Sequence, residues 1–192
     1  MVERKYLNQM YSQNPDTGNF IVEIQMENYL YIFNEWDSAS FKRRDIDPDL
    51  SDFLESCSSD IPLNMGIELH FNILNEERSL KKEKTIISGL RNYYARCLYF
   101  EKQALKELYR KFLFYILIAF PLFFCSYALD YYIVDNIIFT GLLEGVYVGG
   151  WVFLWAAIEM LAFDRGPIIR KIKECNRLLK APIYFSYDDL SK

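Results

Sequence analysis

The chain has 192 residues and a formal net charge of −4 at pH 7, from 22 Lys and Arg and 26 Asp and Glu. A chain of this length has room for one small folded domain beside a pair of membrane helices, and little more. The charge is unevenly spread, because residues 112–164 contain no Lys or Arg while residues 165–192 sum to +4. The small total argues neither for nor against nucleic acid, and no motif leads us to expect a nucleic-acid partner.

Residues 1–78 are predicted to form a small cytoplasmic α+β domain with a strand–helix–strand core. Strands are expected at residues 19–26, 29–33 and 65–74. In the last of these, apolar and polar residues alternate, which places Glu68, His70 and Asn72 on the face turned towards solvent.

A helix is predicted to begin after Asp47, which can accept hydrogen bonds from first-turn amides, with Pro48 in the first turn. Aspartates alternate at positions 45, 47 and 49, as they do in a calcium-binding loop, but the sixth and twelfth positions of that loop would be Leu50 and Ser56. A calcium loop of this type requires glycine and a bidentate glutamate there. The favoured interpretation is a capped helix with surface ion pairs. The alternative is a docking site for a partner, formed by Arg43, Arg44, Asp45 and Asp47.

A helical pattern of apolar residues begins near residue 76 and meets no stop before the apolar segment at residue 112. Residues 79–111 are therefore predicted to form a stalk helix that continues into a first membrane span. Its charged faces are typical of a solvated helix, and a coiled-coil contact between copies is the alternative.

Two long apolar runs cover residues 112–129 and 137–163. At about 1.5 Å per residue, each can cross a bilayer core of roughly 30 Å. Residues 112–163 are therefore predicted to form a transmembrane hairpin, which makes the fold class an α+β membrane protein. Pro121 interrupts the first span, where a neighbouring helix can satisfy the carbonyl that it frees.

The second span carries a stripe of small residues at helical spacing and two carboxyl groups. Small residues let helices approach closely in lipid, and a charge inside the bilayer costs about 2.5–3.5 kcal/mol unless it is paired or hydrated. In one interpretation, the glutamates bond to Tyr115, Tyr127 or Arg165, and the stripe packs against the first helix of the hairpin. In the other, the stripe packs copies of the helix together around a polar lumen. The packing or lumen residues are Gly141, Glu144, Gly145, Gly149, Trp151, Trp155, Ala156 and Glu159.

Residues 164–192 are predicted to form a cytoplasmic basic amphipathic helix, starting after Gly166 and Pro167, followed by a tail. Such a helix can lie on anionic lipid, at roughly 1 kcal/mol per nearby cation, and packing against the stalk is the alternative. The expected membrane-surface cations are Arg170, Lys171, Lys173 and Arg177.

Cations flank both spans and are absent from the linker at residues 130–136, so both termini are expected on the cytoplasmic side. The first residues lack the apolar segment of a secretion signal. The cysteines show no CxxC spacing, and we expect buried reduced thiols rather than zinc ligands, with no cofactor. They are Cys57, Cys97, Cys125 and Cys175.

Two stretches resemble an uncharacterised bacterial family of two-span membrane proteins. The family's cytoplasmic pattern D-x-S-x-F-x-x-R-D-[IL]-D corresponds to residues 37–47 here, with Ala39 at the serine position. The second-span pattern E-G-x-x-x-G-G-W-V-x-x-W-x-x-x-E corresponds to residues 144–159. Where the family often has Arg-Pro after the second tryptophan, this chain has Ala156 and Ala157, which removes a possible cation for Glu159. The resemblance implies a bacterial inner-membrane protein with a cytoplasmic α+β domain, and it implies no biochemical activity.

The function predicted from the sequence is assembly without catalysis, because no nucleophile–base pair, metal set or phosphate loop is evident. The cytoplasmic domain would bind itself or a soluble protein, and the hairpin would anchor or transmit that event in the lipid bilayer. The alternative is an oligomeric pore or membrane-perturbing effector, in which Glu144 and Glu159 face a polar lumen.

Overall fold

The computed structural model describes residues 7–33, 46–74, 76–132 and 137–187 as an α+β structure with one small sheet and long apolar helices. The strands are β1 (Ser12–Gln13), β2 (Phe20–Met26), β3 (Ile67–Ile73) and β4 (Ile183–Tyr187). The main helices are α1 (Pro48–Asp60), α2 (Leu80–Tyr132), α3 (Ile137–Glu159) and α4 (Arg165–Lys180). Short elements are a 3-10 helix at Tyr29–Ile32 and a π-helical turn at Met160–Asp164.

The sheet has the order β1-β2-β3-β4, with β1 antiparallel to β2 and the other neighbours parallel. Parallel neighbours need a crossover, which α1 provides between β2 and β3, and α2 to α4 provide between β3 and β4. The strands expected near residues 19–26 and 65–74 are confirmed. The strand expected at residues 29–33 is wrong, because this segment forms the 3-10 helix and a single bridge from Phe33 to Ile46.

One face of the sheet forms the hydrophobic core together with apolar residues of α1, α2 and α4. The alternation in β2 and β3 directs every second side chain to this face. Core residues from the strands include Phe20, Val22, Leu69 and Phe71, and those from the helices include Leu54, Ile86, Leu90, Tyr94 and Leu178. Within α1, Leu54 and Cys57 are buried while Phe53 is 45% exposed.

Asp47 caps α1 as the sequence predicts. Its Oδ1 accepts hydrogen bonds from the backbone N–H groups of Asp49 and Leu50, at 2.9 and 3.4 Å. These are two of the four amides that a helix leaves without an internal partner at its N-terminus.

The chain divides into two compact units. The first comprises Met1–Tyr99 and Ile172–Lys192, and the second comprises Phe100–Lys171. The basic C-terminal segment therefore belongs mostly to the first unit, because Leu178 enters its core and β4 pairs with β3.

Among the residues that the structure describes, two helices are long and apolar enough to cross a membrane, namely Leu80–Tyr131 and Ile137–Lys180. The second is continuous through the π-helical turn, so Gly166 and Pro167 lie within it rather than before a separate helix. Pro167 lacks the N–H that a regular helix would bond to an earlier carbonyl, and the π-helical turn at Met160–Asp164 lies just before it.

Cys97 of α2 and Cys175 of α4 form a disulfide within the first unit. In the structure this pair is therefore bonded, where the sequence led us to expect reduced thiols. The two residues are 78 positions apart in the chain, but their Cα atoms are 6.4 Å apart, within the range that a disulfide requires. Cys57 and Cys125 are free.

Candidate functional site

The two helices of the second unit pack through small residues at seven-residue spacing. On α3 these are Gly150 and Ala157, which lie on one face with Leu143, and on α2 they are Ala119 and Ser126. All five residues are buried, and seven residues are close to two full helical turns. Close packing of backbones through small side chains is the usual way in which membrane helices associate.

We call these five residues the seam between α2 and α3. Gly150 and Ser126 make its closest contacts. A Cβ on Gly150 would lie 2.9 Å from the Phe123 ring, a distance that leaves no room for a side chain. The Ser126 hydroxyl donates a hydrogen bond to the backbone carbonyl of Leu143, at 3.1 Å. The seam therefore combines an interhelical hydrogen bond with a position at which the close approach of the two helices requires glycine.

Aromatic rings fill the space beside this seam. The Phe123 ring lies edge-on to Tyr147 and to Trp151, with centroid distances of 5.5 and 5.9 Å. Tyr127 contacts Tyr147 in the same way, and Tyr115 contacts Phe153. Tyr115 and Tyr127 thus pack against rings of α3.

The glycine stripe predicted from the sequence lies mostly off this seam. Gly141 and Gly145 have no neighbouring atom within 4 Å of the position where a Cβ would lie, and for Gly149 the nearest is Leu122 at 3.9 Å. The expectation that the stripe packs against the first helix is therefore wrong for Gly141 and Gly145. Gly150 makes the close contact instead, and the repeat of small residues at positions 150 and 157 was the sequence signal for it.

Beside the two open glycines, α3 presents a shallow groove of about 480 Å³. Trp151 and Trp155 are 48% and 64% exposed, so large apolar surface is left uncovered by the part of the chain that the structure describes. The groove is lined by Val148, Trp151, Val152, Trp155, Ala156 and Glu159.

Glu144 and Glu159 are both exposed on α3. In the described ranges, neither takes part in an ion pair. Arg165, an expected partner of Glu159, donates a hydrogen bond from Nε to the Tyr109 hydroxyl at 2.8 Å. The interpretation in which local groups bond the two glutamates is not supported by these contacts.

The expected docking residues Arg43, Arg44 and Asp45 lie outside the described residues. Asp47 is described, and its carboxyl group accepts the capping hydrogen bonds of α1.

The four expected membrane-surface cations differ in their surroundings. Arg170 and Lys173 are exposed and Lys171 is half-buried. Arg177 instead directs its guanidinium to the C-terminal end of α1, where it donates to the carbonyl oxygens of Ile61 and Pro62. Those contacts engage Arg177 inside the first unit.

A polar cluster that the sequence did not reveal surrounds Glu68 on the other face of the sheet. Glu68 was expected to face solvent, but its side chain is fully buried because the turn after β1 covers it. Its carboxylate accepts hydrogen bonds from Asn14 at 2.8 Å, Thr17 at 2.6 Å and Asn19 at 2.9 Å. Burial alone would raise the pKa of this carboxyl, but the hydrogen bonds outweigh it and lower the pKa to about 2.

Gly18 and Gly66 allow this cluster to form. Gly18 has a φ of 72°, which a residue with a side chain rarely adopts, and it closes the turn that carries Asn14 and Thr17. A Cβ on Gly66 would collide with the Asn19 carboxamide at 1.9 Å. Of the neighbouring polar groups, His70 lies 3.5 Å from the Glu68 carboxylate.

Within the described ranges, no group of three or more His, Cys, Asp or Glu is placed to hold a metal ion. Comparisons with protein-family models, with curated proteins and with solved structures find no match. Within the described residues, the outward-facing side of α3 brings together open glycines, exposed tryptophans and a carboxyl group, and it is the candidate site.

Proposed function

We propose that this protein is a membrane-anchored, non-catalytic protein that works by self-assembly through the outward face of α3. This face comprises Gly141, Gly145, Val148, Val152, Trp155 and Glu159. What supports the proposal is that Gly141 and Gly145 meet nothing within 4 Å, although the same helix has a tightly packed seam on its other side.

The spacing of the outward face fits a second helix. Its members follow one another by four, three, four, three and four residues, which is the spacing of a left-handed helix pair. Glycines at the first two positions would let a second backbone approach closely, and lipid offers no competing hydrophobic drive. A second copy of this chain offers the same face, so a symmetric pair would match glycine to glycine.

The carboxyl groups favour assembly over exposure to lipid. An ionised carboxylate facing hydrocarbon costs about 2.5–3.5 kcal/mol or more, and Glu144 and Glu159 are both exposed on α3. Contact between copies would let Glu159 share a proton or a hydrogen bond with its counterpart. In a larger ring, both glutamates would face a common aqueous lumen, which is the pore alternative.

The cation distribution supports a bacterial inner-membrane location with both termini in the cytoplasm, because Lys and Arg flank the apolar helices and are absent between them. In that arrangement the first unit would lie in the cytoplasm, where it could also bind a soluble protein. Self-assembly of the hairpin would then gather several copies of that unit.

The test is the native mass of the full chain in a mild detergent. We expect a defined oligomer for the wild type and for Gly166→Leu, and a monomer for the double variant Gly141→Leu, Gly145→Leu. Gly166 is the control, because a Cβ there also meets nothing within 4 Å, while the π-helical turn at Met160–Asp164 separates it from the last member of the outward face.

A monomeric wild type, or a double variant with unchanged mass, would contradict self-assembly through this face. If the wild type is an oligomer of five or more copies, Glu144→Gln with Glu159→Gln tests the pore alternative. A pore predicts a change in ion flux across vesicles that contain the oligomer, and unchanged flux would reject it.

A further inference from the structure

A cavity of about 450 Å³ lies in the first unit, between α4 and the segment that leads from α1 into β3. Three cations and three carboxamides line it, and no carboxyl group is among the described residues that form its wall. These polar residues are Lys173, Arg177, Lys180, Asn19, Asn64 and Asn176. This basic wall contrasts with residues 1–111, which sum to −3.

The polar wall is formed largely by a single face of α4. Lys173, Asn176, Arg177 and Lys180 follow one another by three, one and three residues, so they occupy one side of two helical turns. Lys173 and Lys180 are exposed, and their long side chains can bring the ammonium groups to a ligand in the cavity.

Arg177 holds a fixed position in this wall. Its Nη1 donates to the carbonyl oxygens of Ile61 and Pro62 at 3.0 and 2.9 Å, and its Nη2 donates to the Ser58 hydroxyl at 2.9 Å. These acceptors lie at or just beyond the C-terminal end of α1, where helix carbonyls lack internal partners. The hydrogen bonds orient the guanidinium within the wall.

Negative charge also lies near this wall. The C-termini of α1 and α4 each contribute about −0.5 of an elementary charge, and the Glu68 carboxylate, which is bonded to Asn19, adds a full negative charge. Lys173 and Lys180 are exposed, so their ammonium groups can reach a phosphate monoanion or a phosphodiester at the mouth of the cavity.

We infer that this cavity binds a phosphate group. Lys173 and Lys180 would supply the charge, the carboxamides of Asn64 and Asn176 would donate to phosphate oxygens, and Arg177 would position the wall. The phosphate belongs either to a soluble compound or to the headgroup of a phospholipid. This inference is independent of assembly through α3, because every residue of the cavity belongs to the first unit.

The test uses the full chain in a detergent with a neutral headgroup and follows its thermal unfolding. One arm compares inorganic phosphate with chloride at equal ionic strength, and the other compares phosphatidylglycerol with diacylglycerol, which has no phosphate, in mixed micelles. A ligand that binds the folded state raises the unfolding midpoint, and we expect a rise of about 3 °C or more near saturation. The variant Lys173→Ala, Lys180→Ala should lose this rise, whereas the control Lys102→Ala, Lys106→Ala should keep it.

A rise with inorganic phosphate supports a soluble phosphate compound, and a rise with phosphatidylglycerol alone supports a lipid headgroup. Absence of any rise in the wild type overturns the inference, and so does an equal rise in the Lys173→Ala, Lys180→Ala variant. Because the wild-type measurement is decisive alone, the inference stays testable even if the double variant fails to fold.

Discussion

At the scale of single residues, Glu68 shows how a carboxylate can be buried among donors that are mainly neutral. Three neutral donors, from Asn14, Thr17 and Asn19, surround it, and each lies within 2.9 Å. Hydrogen bonds to a charged group are stronger than neutral ones, so this cluster offsets the desolvation of the carboxylate. It also fastens the turn between β1 and β2 to β3.

The lowered pKa of Glu68 makes stability depend on acid. The folded-state pKa is about 2 against an ordinary value of 4.5, so the unfolded state binds the proton more readily. The stabilisation is therefore complete above about pH 4.5 and is lost progressively as the pH falls towards 2. Glu68→Gln should lose this acid dependence and cost about 2 kcal/mol at pH 7, because two carboxamide donors then face an amide.

Thermal unfolding at pH 7, 4.5 and 3, followed by circular dichroism, measures both effects. Glu23→Gln is the control, since it also replaces a carboxyl by an amide, at an exposed position on the neighbouring strand, and should leave stability at pH 7 unchanged. An unchanged acid transition in Glu68→Gln would show that another group controls it.

At the scale of elements, the sequence predicts those strands and helices whose residues form a local pattern. The alternation in β2 and β3, the Asp47 cap and the uninterrupted helical pattern of α2 all appear in the structure. β4 could not be found, because a five-residue strand acquires its identity from pairing with β3, whose partner residues lie 114 positions earlier in the chain. The Cys97–Cys175 disulfide and the burial of Glu68 are likewise long-range consequences of folding.

The packing of α2 against α3 shows that prediction from the sequence is limited in the same way at the candidate site. Helical spacing predicted a packing stripe of Gly141, Gly145, Gly149 and Ala156, but spacing alone cannot say which face of a helix meets its neighbour. Gly150 and Ala157 face α2, while Gly141 and Gly145 face outwards. The outward glycines are thereby left available for another helix.

The packing of the seam predicts that alanine at position 150 lowers stability more than alanine at position 166. In Gly150→Ala the new methyl group would lie 2.9 Å from the Phe123 ring, so we expect overpacking to destabilise the hairpin by about 1–3 kcal/mol. Gly166→Ala adds a methyl group in open space and should be neutral or slightly stabilising. Unfolding of the two variants in detergent, followed by tryptophan fluorescence, makes the comparison, and equal stabilities would contradict the seam.

At the scale of the whole molecule, charge distribution and cysteine pairing bear on the same question of orientation. The positive-inside rule supports a cytoplasmic location for the first unit. The same unit contains the Cys97–Cys175 disulfide, and disulfides persist mainly in oxidising compartments. A cytoplasmic first unit and a Cys97–Cys175 disulfide are compatible if the two thiols are reduced in the growing cell and form their bond after oxidation.

The proposed orientation therefore predicts the thiol count of the protein in its own cells. In cells quenched with acid, denatured and treated with a maleimide of high mass, all four cysteines should be labelled. After exposure of the cells to a thiol oxidant, only Cys57 and Cys125 should be labelled, and Cys97→Ser should then expose Cys175 as a third site. Two labelled cysteines in untreated cells would place the first unit in an oxidising compartment and invert the proposed orientation. Four labelled cysteines after oxidation would contradict the pairing itself, because thiols held 6.4 Å apart at their Cα atoms are within reach of each other.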